Sequence, residues 1–202
     1  MGAKQGGWIS ASNAKKIMTT GRKKDEMYGD TFFSYARQLA AARIGYDITK
    51  DISSLSSVEW GLENEWLAVE SYCERFLSDV KYPVEFQPHP EYPDSVGCTP
   101  DAYVGSDGLI EVKCPDSNNH LDNVLDNKQL DDYFAQIQFQ LWVTGRKWCD
   151  WVSFDPRAPE PIKLHVVRVE RDEAFISQLS ERVIYLEQCV NEQLELIKEK
   201  MI

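Results

Sequence analysis

Asp101, which follows Pro100, and the run Glu111-Val112-Lys113, which begins after nine intervening residues, bring two carboxylates and an amine into a short stretch of chain. Metal-assisted phosphodiester hydrolysis needs such a set. Carboxylate oxygens are hard ligands suited to Mg²⁺. A metal held there stabilises charge on the phosphate and lowers the pKa of a bound water, which Lys113 would hydrogen-bond or help to deprotonate. Both acids must then leave one face of a hairpin, and residues directly opposite in an antiparallel pair do so. Pairing Asp101 with Glu111 also pairs Val104 with Gly108 and leaves the three-residue loop Gly105-Ser106-Asp107, a common glycine-bearing hairpin length. A two-residue Ser106-Asp107 turn would send the carboxylates to opposite faces. In the convergent register Lys113 shares the face of Glu111. The Val112 side chain then enters the opposite, apolar face, and its carbonyl can act as a further ligand. Taken alone the pattern is weak, because charged residues on the wet face of a hairpin also produce it.

The elements that must position these residues can be read from spacing. A short helix capped by Ser10 or Ser12 carries Ala14, Ile17 and Met18 and stops at Gly21. A second, from Thr31 to Arg43, sets Phe32, Tyr35, Ala36 and Leu39 on one side and ends before Gly45. Residues 46–57 are polar and serine-rich, which predicts a loop. A helix from about Val58 to Leu77 repeats Leu62, Trp66, Val69, Cys73 and Phe76 at helical spacing, with Trp60 and Trp66 expected in the core. Val84 and Phe86 alternate with polar residues before Pro88, Pro90 and Pro93 break the chain. Strands are expected at 102–104, 109–113, 151–154 and 164–169, and a mobile polar loop at 115–130. A helix opens at Asp131 or Asp132 and closes at Gly145, and a last helix runs from about Asp172 to Lys200. This order predicts an α/β fold in a single domain spanning 1–202, a sheet of mixed strand direction flanked by helices.

The 202 residues suffice for one sizeable core. No apolar run approaches the ~20 residues of a membrane span, and Met1 to Gly6 lacks the apolar segment of a signal peptide. A cytoplasmic protein without membrane contact is therefore expected. The five cysteines (Cys73, Cys98, Cys114, Cys149, Cys189) are odd in number and never spaced CxxC. That argues against a disulfide framework or structural zinc site and for buried free thiols. The net charge of −11 opposes a nucleic-acid partner, since affinity for DNA comes largely from Lys and Arg. The charge is uneven, however. Residues 1–24 hold Lys4, Lys15, Lys16, Arg22, Lys23 and Lys24 and no acid, which leaves the remainder at −17. One positive face on an acidic body holds a duplex locally.

Several blocks then agree in order along nearly the whole chain. Ile9-Ser10-Ala11-Ser12, Trp60-Gly61-Leu62-Glu63-Asn64-Glu65-Trp66-Leu67-Ala68 and Gly97-Cys98-Thr99-Pro100-Asp101 are followed by Glu111-Val112-Lys113-Cys114-Pro115. Tyr133-Phe134-Ala135-Gln136-Ile137-Gln138, Leu141-Trp142-Val143-Thr144, Phe154-Asp155-Pro156-Arg157 and Val169-Glu170-Arg171-Asp172-Glu173 complete the set. Together they resemble the lambda-type phage exonucleases, of the YqaJ-like viral recombinase group of PD-(D/E)xK nucleases.

The resemblance implies a PD-(D/E)xK restriction-endonuclease-like core, a mixed central β-sheet flanked by α-helices. It implies a Mg²⁺-dependent 5′→3′ exonuclease, with Mn²⁺ able to substitute, that digests one strand at double-stranded DNA ends to mononucleotides. The remaining 3′ single strand would pass to a cognate single-strand annealing protein, and the enzyme would be a homotrimer ring. By the same resemblance Asp101, Glu111, the Val112 carbonyl and Glu65 are the metal ligands. Lys113 is the water-activating lysine, and Gln136 contacts substrate near the scissile phosphate. Ser12 and Thr99 surround the 5′-phosphate. One position departs from the pattern: Gln5 stands where an arginine binds the terminal phosphate. Either Lys4, Lys15 or Arg37 supplies the charge, or the preference for a 5′-phosphate is weakened, because a neutral amide cannot replace a bidentate guanidinium. Judged from the residues alone, Glu63 rivals Glu65, and Gln136 and Gln140 are two amides on one helix face. Two rival functions remain. One is another PD-(D/E)xK DNA endonuclease, which would cut closed circles. The other is a non-catalytic DNA-binding or assembly protein on the same fold, which would have no reason to hold buried like charges together.

Overall fold

The structure, a computed structural model, describes residues 7–23, 26–46 and 56–200. Lys4, Gln5, Lys24 and residues 47–55 of the expected loop lie outside them. The chain opens with β1 (Ile9–Ser10) and a 3₁₀ turn leading into α1 (Ala14–Ile17), α2 (Asp30–Arg43) and α3 (Ser56–Phe76). Short strands β2 (Val80–Lys81), β3 (Gln87–Pro88) and β4 (Val96–Cys98) precede the hairpin β5 (Ala102–Val104) and β6 (Gly108–Lys113). Then come α4 (Ser117–Asp126), α5 (Leu130–Thr144), β7 (Trp148–Phe154), α6 (Glu160–Lys163), β8 (Leu164–Glu170) and the long α7 (Glu173–Lys200). No helix among the described residues is long and apolar enough to cross a membrane.

Five strands form one mixed sheet in the order β2-β5-β6-β7-β8, and β1-β4-β3 form a second. β6 is the central strand of the five, and five of its six residues are buried. It runs antiparallel to β5 and parallel to β7, the mixed arrangement expected. Val104 lies opposite Gly108 and Ala102 opposite Ile110, so the three-residue loop is present, and Gly105 takes the φ of +50° that its turn requires. One face of the sheet packs Ile110, Val112 and Val152 against Ala68, Val69 and Tyr72 of α3. The other packs Leu109, Cys149 and Trp151 against Ile137 and Leu141 of α5 and Ile176 of α7. A third cluster joins α1, α2, α5 and α7 around Phe32, Phe139 and Leu186.

The long helices fall close to their expected bounds, and Gly145 ends α5 in the left-handed conformation, φ +68°. The structure corrects three readings. Residues 115–130 are not a loop, since α4 occupies 117–126. Asp116 caps it by accepting from the backbone N–H groups of Asn118 and Asn119, and Asn127 closes it at φ +53°. Its anchors are polar: His120 Nδ1 meets Ser153 Oγ at 2.9 Å, and Asn123 Nδ2 donates to the same oxygen at 3.1 Å. Second, the α3 stripe is turned from the one expected. Leu62, Trp66 and Phe76 are exposed, Trp66 by half, while Val69 and Cys73 of that stripe join Ala68 and Tyr72 against the sheet. Trp60 is half-buried beneath the guanidinium of Arg157, 4.4 Å from its ring. Third, the expected serine cap of the first helix is not made: Ser10 precedes the 3₁₀ turn without a side-chain cap bond, and α1 begins after Asn13. Of the five free thiols, Cys98, Cys149 and Cys189 are buried, and Cys73 and Cys114 are partly exposed.

Asp155, at the end of β7, ties α4 to the sheet. It accepts from Ser117 Oγ at 2.7 Å and from Arg157 Nε and Nη2 at 2.8 and 3.0 Å. Burial alone would raise its pKa, but the bonds from Arg157 and Ser117 outweigh it and hold it at about 2. A depressed carboxylate contributes stability above its unfolded value near ~4 and loses it as pH falls through the folded value. Asp155→Asn is therefore expected to be less stable than the parent at pH 7, with the gap closing between about pH 4 and pH 2. Urea midpoints across that range check it, and a constant gap would contradict it.

Candidate active site

The antiparallel ladder between β5 and β6 stops at Ala102 and Ile110. Beyond it the β5 side of residues 111–113 has no strand partner, and Asp101 takes that place: its Oδ2 accepts the Val112 N–H at 2.6 Å. A strand residue presents its N–H and C=O to the same side. The Val112 carbonyl therefore leaves the strand on the Asp101 side, as the ligand reading requires. The Val112 side chain is in the α3-facing core, again as expected.

Glu111 is only 1% exposed. Lys113 Nζ donates to its Oε1 at 2.5 Å and Gln136 Nε2 to the same oxygen at 2.6 Å. Gln140 Nε2 donates to Oε2 at 2.6 Å. Positions 136 and 140 are one turn apart on α5 and share a face, which explains why both amides reach one carboxylate. Gln138, on the far side of the helix, bonds instead to Glu170 O and the Asp172 N–H. Lys113 Nζ also lies 4.7 Å from the Tyr133 ring centroid. Glu65 reaches the site from α3. It is half-buried and lines a pocket of about 300 Å³ with Gly61, Val112, Lys113 and Tyr133, whereas Glu63 is exposed.

The charges are strongly coupled. Burial, then the charge of Glu111, pushes Asp101 well above the usual carboxylate range; Lys113 and the Val112 N–H only partly offset this. Burial and Glu111 raise Glu65 as well. Burial pulls Lys113 down, but Glu111 and Asp101 more than compensate and hold the amine above the ordinary lysine range. As the structure stands, Lys113 acts as a hydrogen-bond donor to Glu111.

The donor chemistry suits a hard divalent cation: carboxylates from Glu65, Asp101 and Glu111, with the Val112 carbonyl alongside. Among the described residues no three His, Cys, Asp or Glu side chains form a metal-holding group as they stand. Both oxygens of Glu111 are engaged by Lys113 and the two amides.

The other expected site residues are more dispersed. β1 pairs in parallel with β4, Ser10 opposite Gly97. Ser12 and Thr99 each stand two residues past that pair, so they share one sheet end, and both are exposed. Thr99 also directly precedes the Pro100-Asp101 turn into the site. Lys15, a candidate for phosphate, forms an exposed ion pair with Asp132. Arg37 is exposed on α2, which packs mainly on α7 and α1; the structure does not bring it to the hairpin. Gln140 and Tyr133 had no assigned part in the sequence reading, although the one-turn spacing of Gln136 and Gln140 was visible there.

Residues 2–147 match the YqaJ-like viral recombinase domain. The chain belongs to this family. Nucleases of the YqaJ-like family are generally divalent-metal dependent. Over 51 residues the chain is 35% identical to the ExoD protein of Escherichia coli K12, a match that takes in 25% of this chain. The chain thus spans 58% of the length of the curated relative it matches. Its fold is similar to an alkaline exonuclease (LHK-Exo) from Laribacter hongkongensis, with a TM-score of 0.84 and 29% identity over 96% of this chain and 93% of that one. That enzyme is also known in complex with dAMP. A phage-related exonuclease from Haemophilus somnus 129PT shares the fold at TM-score 0.77 and 19% identity, over 94% of this chain and 96% of that one.

The buried like charges generate a prediction. Asp101→Asn removes one of them, so the metal-free variant is expected to melt higher than the parent, by about 2–4 °C for each ~1 kcal/mol relieved. Calorimetry in chelator checks this. A lower melting point would show that the carboxylate's bond to Val112 outweighs its repulsion.

Proposed function

We propose that this chain is a divalent-metal-dependent 5′→3′ exonuclease that digests one strand at double-stranded DNA ends. The observation that carries the reading is the coupled set Asp101, Glu111 and Lys113 beside a pocket that Glu65 and Lys113 line, in a chain of the YqaJ-like family. A divalent cation, Mg²⁺ or Mn²⁺ in its place, would supply charge neutralisation at the scissile phosphate and a more acidic water. Glu65, Asp101, Glu111 and the Val112 carbonyl would hold it. Lys113 would hydrogen-bond the attacking water or help to deprotonate it. Gln136, half-exposed beside Glu111, is placed to touch substrate. Ser12 and Thr99 offer hydroxyls to the 5′-phosphate, with Gln5 in place of a phosphate-binding arginine.

Release of mononucleotides is supported by the dAMP complex of the Laribacter hongkongensis enzyme. The further reading, by family resemblance, is a homotrimer ring in the cytoplasm of a bacterial host, handing a 3′ single strand to an annealing protein.

Linear duplex labelled at either end should lose its 5′-terminated strand stepwise, and a sealed circle should survive. Digestion should stop in excess EDTA and return with Mg²⁺. Cutting of the circle, or robust digestion in chelator, would overturn the proposal. Lys113→Ala should lower turnover by ~10²–10⁴, the span of a positioned proton-handling group, with DNA binding retained. A variant within a few-fold of the parent in single-turnover rates would remove Lys113 from the chemistry.

A further inference from the structure

We infer that Gln140 is a positioning residue for Glu111, fixing which of its two carboxylate oxygens faces the catalytic pocket. The inference rests on the metal-dependent reading above and extends it to a side chain with no role assigned so far. Gln140 is 1% exposed. Its Nε2 donates to Glu111 Oε2 at 2.6 Å, while its own Oε1 meets no donor among the described residues. Flipping the amide would set a carbonyl against a carboxylate, so the observed orientation is the one its surroundings allow.

That orphaned carbonyl is informative. A buried acceptor without a donor weakens a fold. For packing alone, an aliphatic side chain at position 140 would serve better. The donor end explains the glutamine. The terminal torsion of a glutamate has broad, roughly two-fold preferences, and Gln140 holds one oxygen of Glu111 from the dry side of the site.

The other oxygen differs. Oε1 is held by Lys113 and Gln136, at 2.5 and 2.6 Å, and both of those side chains are partly exposed, with Lys113 lining the pocket. Substrate or a cation can draw them away, whereas nothing from solvent reaches Gln140. Oε1 is therefore the oxygen presented to the pocket, and Oε2 is the fixed end about which it is aimed.

Gln140→Met keeps length and removes both the donor and the orphaned acceptor. Mn²⁺ binding to the DNA-free protein, followed by electron paramagnetic resonance, should weaken by ~10–100-fold, the usual effect of losing a group that orients a ligand. kcat should fall by a similar factor while KM for duplex ends is unchanged. The melting point in chelator should stay level or rise. A purely structural role predicts the reverse, a lower melting point with Mn²⁺ affinity within twofold of the parent, and that result would overturn the inference. If Gln140→Met does not fold, Gln140→Leu and Gln140→Asn carry the same comparison, the latter keeping an amide too short to reach Oε2. Asp101→Asn separates the two levels. Failure of the parent to bind Mn²⁺ defeats the metal-dependent reading and this inference together. Binding lost in Asp101→Asn but kept at parental strength in Gln140→Met defeats this inference alone.

Discussion

Placing a carboxylate in the interior of a sheet demands hydrogen-bond donors on every side it presents, and in this chain Glu111 sets that demand. Its own strand supplies only Lys113. The other two donors must come from across the face, which obliges α5 to lie over β6 with positions 136 and 140 turned inward. Packing agrees with that placement, since Ile137 and Leu141 enter the same face beside Leu109 and Trp151. Gln138 then fastens the opposite side of the helix to the junction of β8 and α7. One acidic side chain thus explains two of the three alternating glutamines on a helix that reads as apolar.

Much of the site was legible because the hairpin is local. The choice between a two-residue and a three-residue loop decided whether Asp101 and Glu111 converge, and the glycine at 105 favoured the loop that the structure contains. What eluded the sequence has physical reasons. In α3, Leu62, Trp66 and Phe76 drew the apolar stripe toward themselves, but large residues lie on the surface as well as in cores. The contact with β6 needs small or flat groups, Ala68, Val69 and Tyr72. α4 was hidden because His120 and Asn123 anchor it by hydrogen bonds to Ser153, while its apolar residues Leu121 and Leu125 face outward. Gln140 resembled a surface amide because periodicity cannot tell whether a polar residue on a helix faces water or a buried acid.

Charge shows the same division between local and distant information. The basic N-terminal segment was plain in the sequence, yet the pairing of Lys15 with Asp132 joins residues 117 positions apart. Composition reports how much charge a segment carries, and only the fold reports which of it is already matched.

Val112 has a further consequence. Its side chain fills the core against α3, while its N–H steadies Asp101 and its carbonyl leaves on the same side. The working parts of this residue are main-chain atoms, common to every amino acid except for the N–H that proline lacks. Side-chain scanning is therefore blind to them: Val112→Ala would trim the core and leave both polar groups in place. A genetic search for inactive variants would pass over the position, or blame it on packing. Only chemistry on the peptide link itself, such as an amide-to-ester exchange introduced by protein ligation, can delete that donor while keeping the valine.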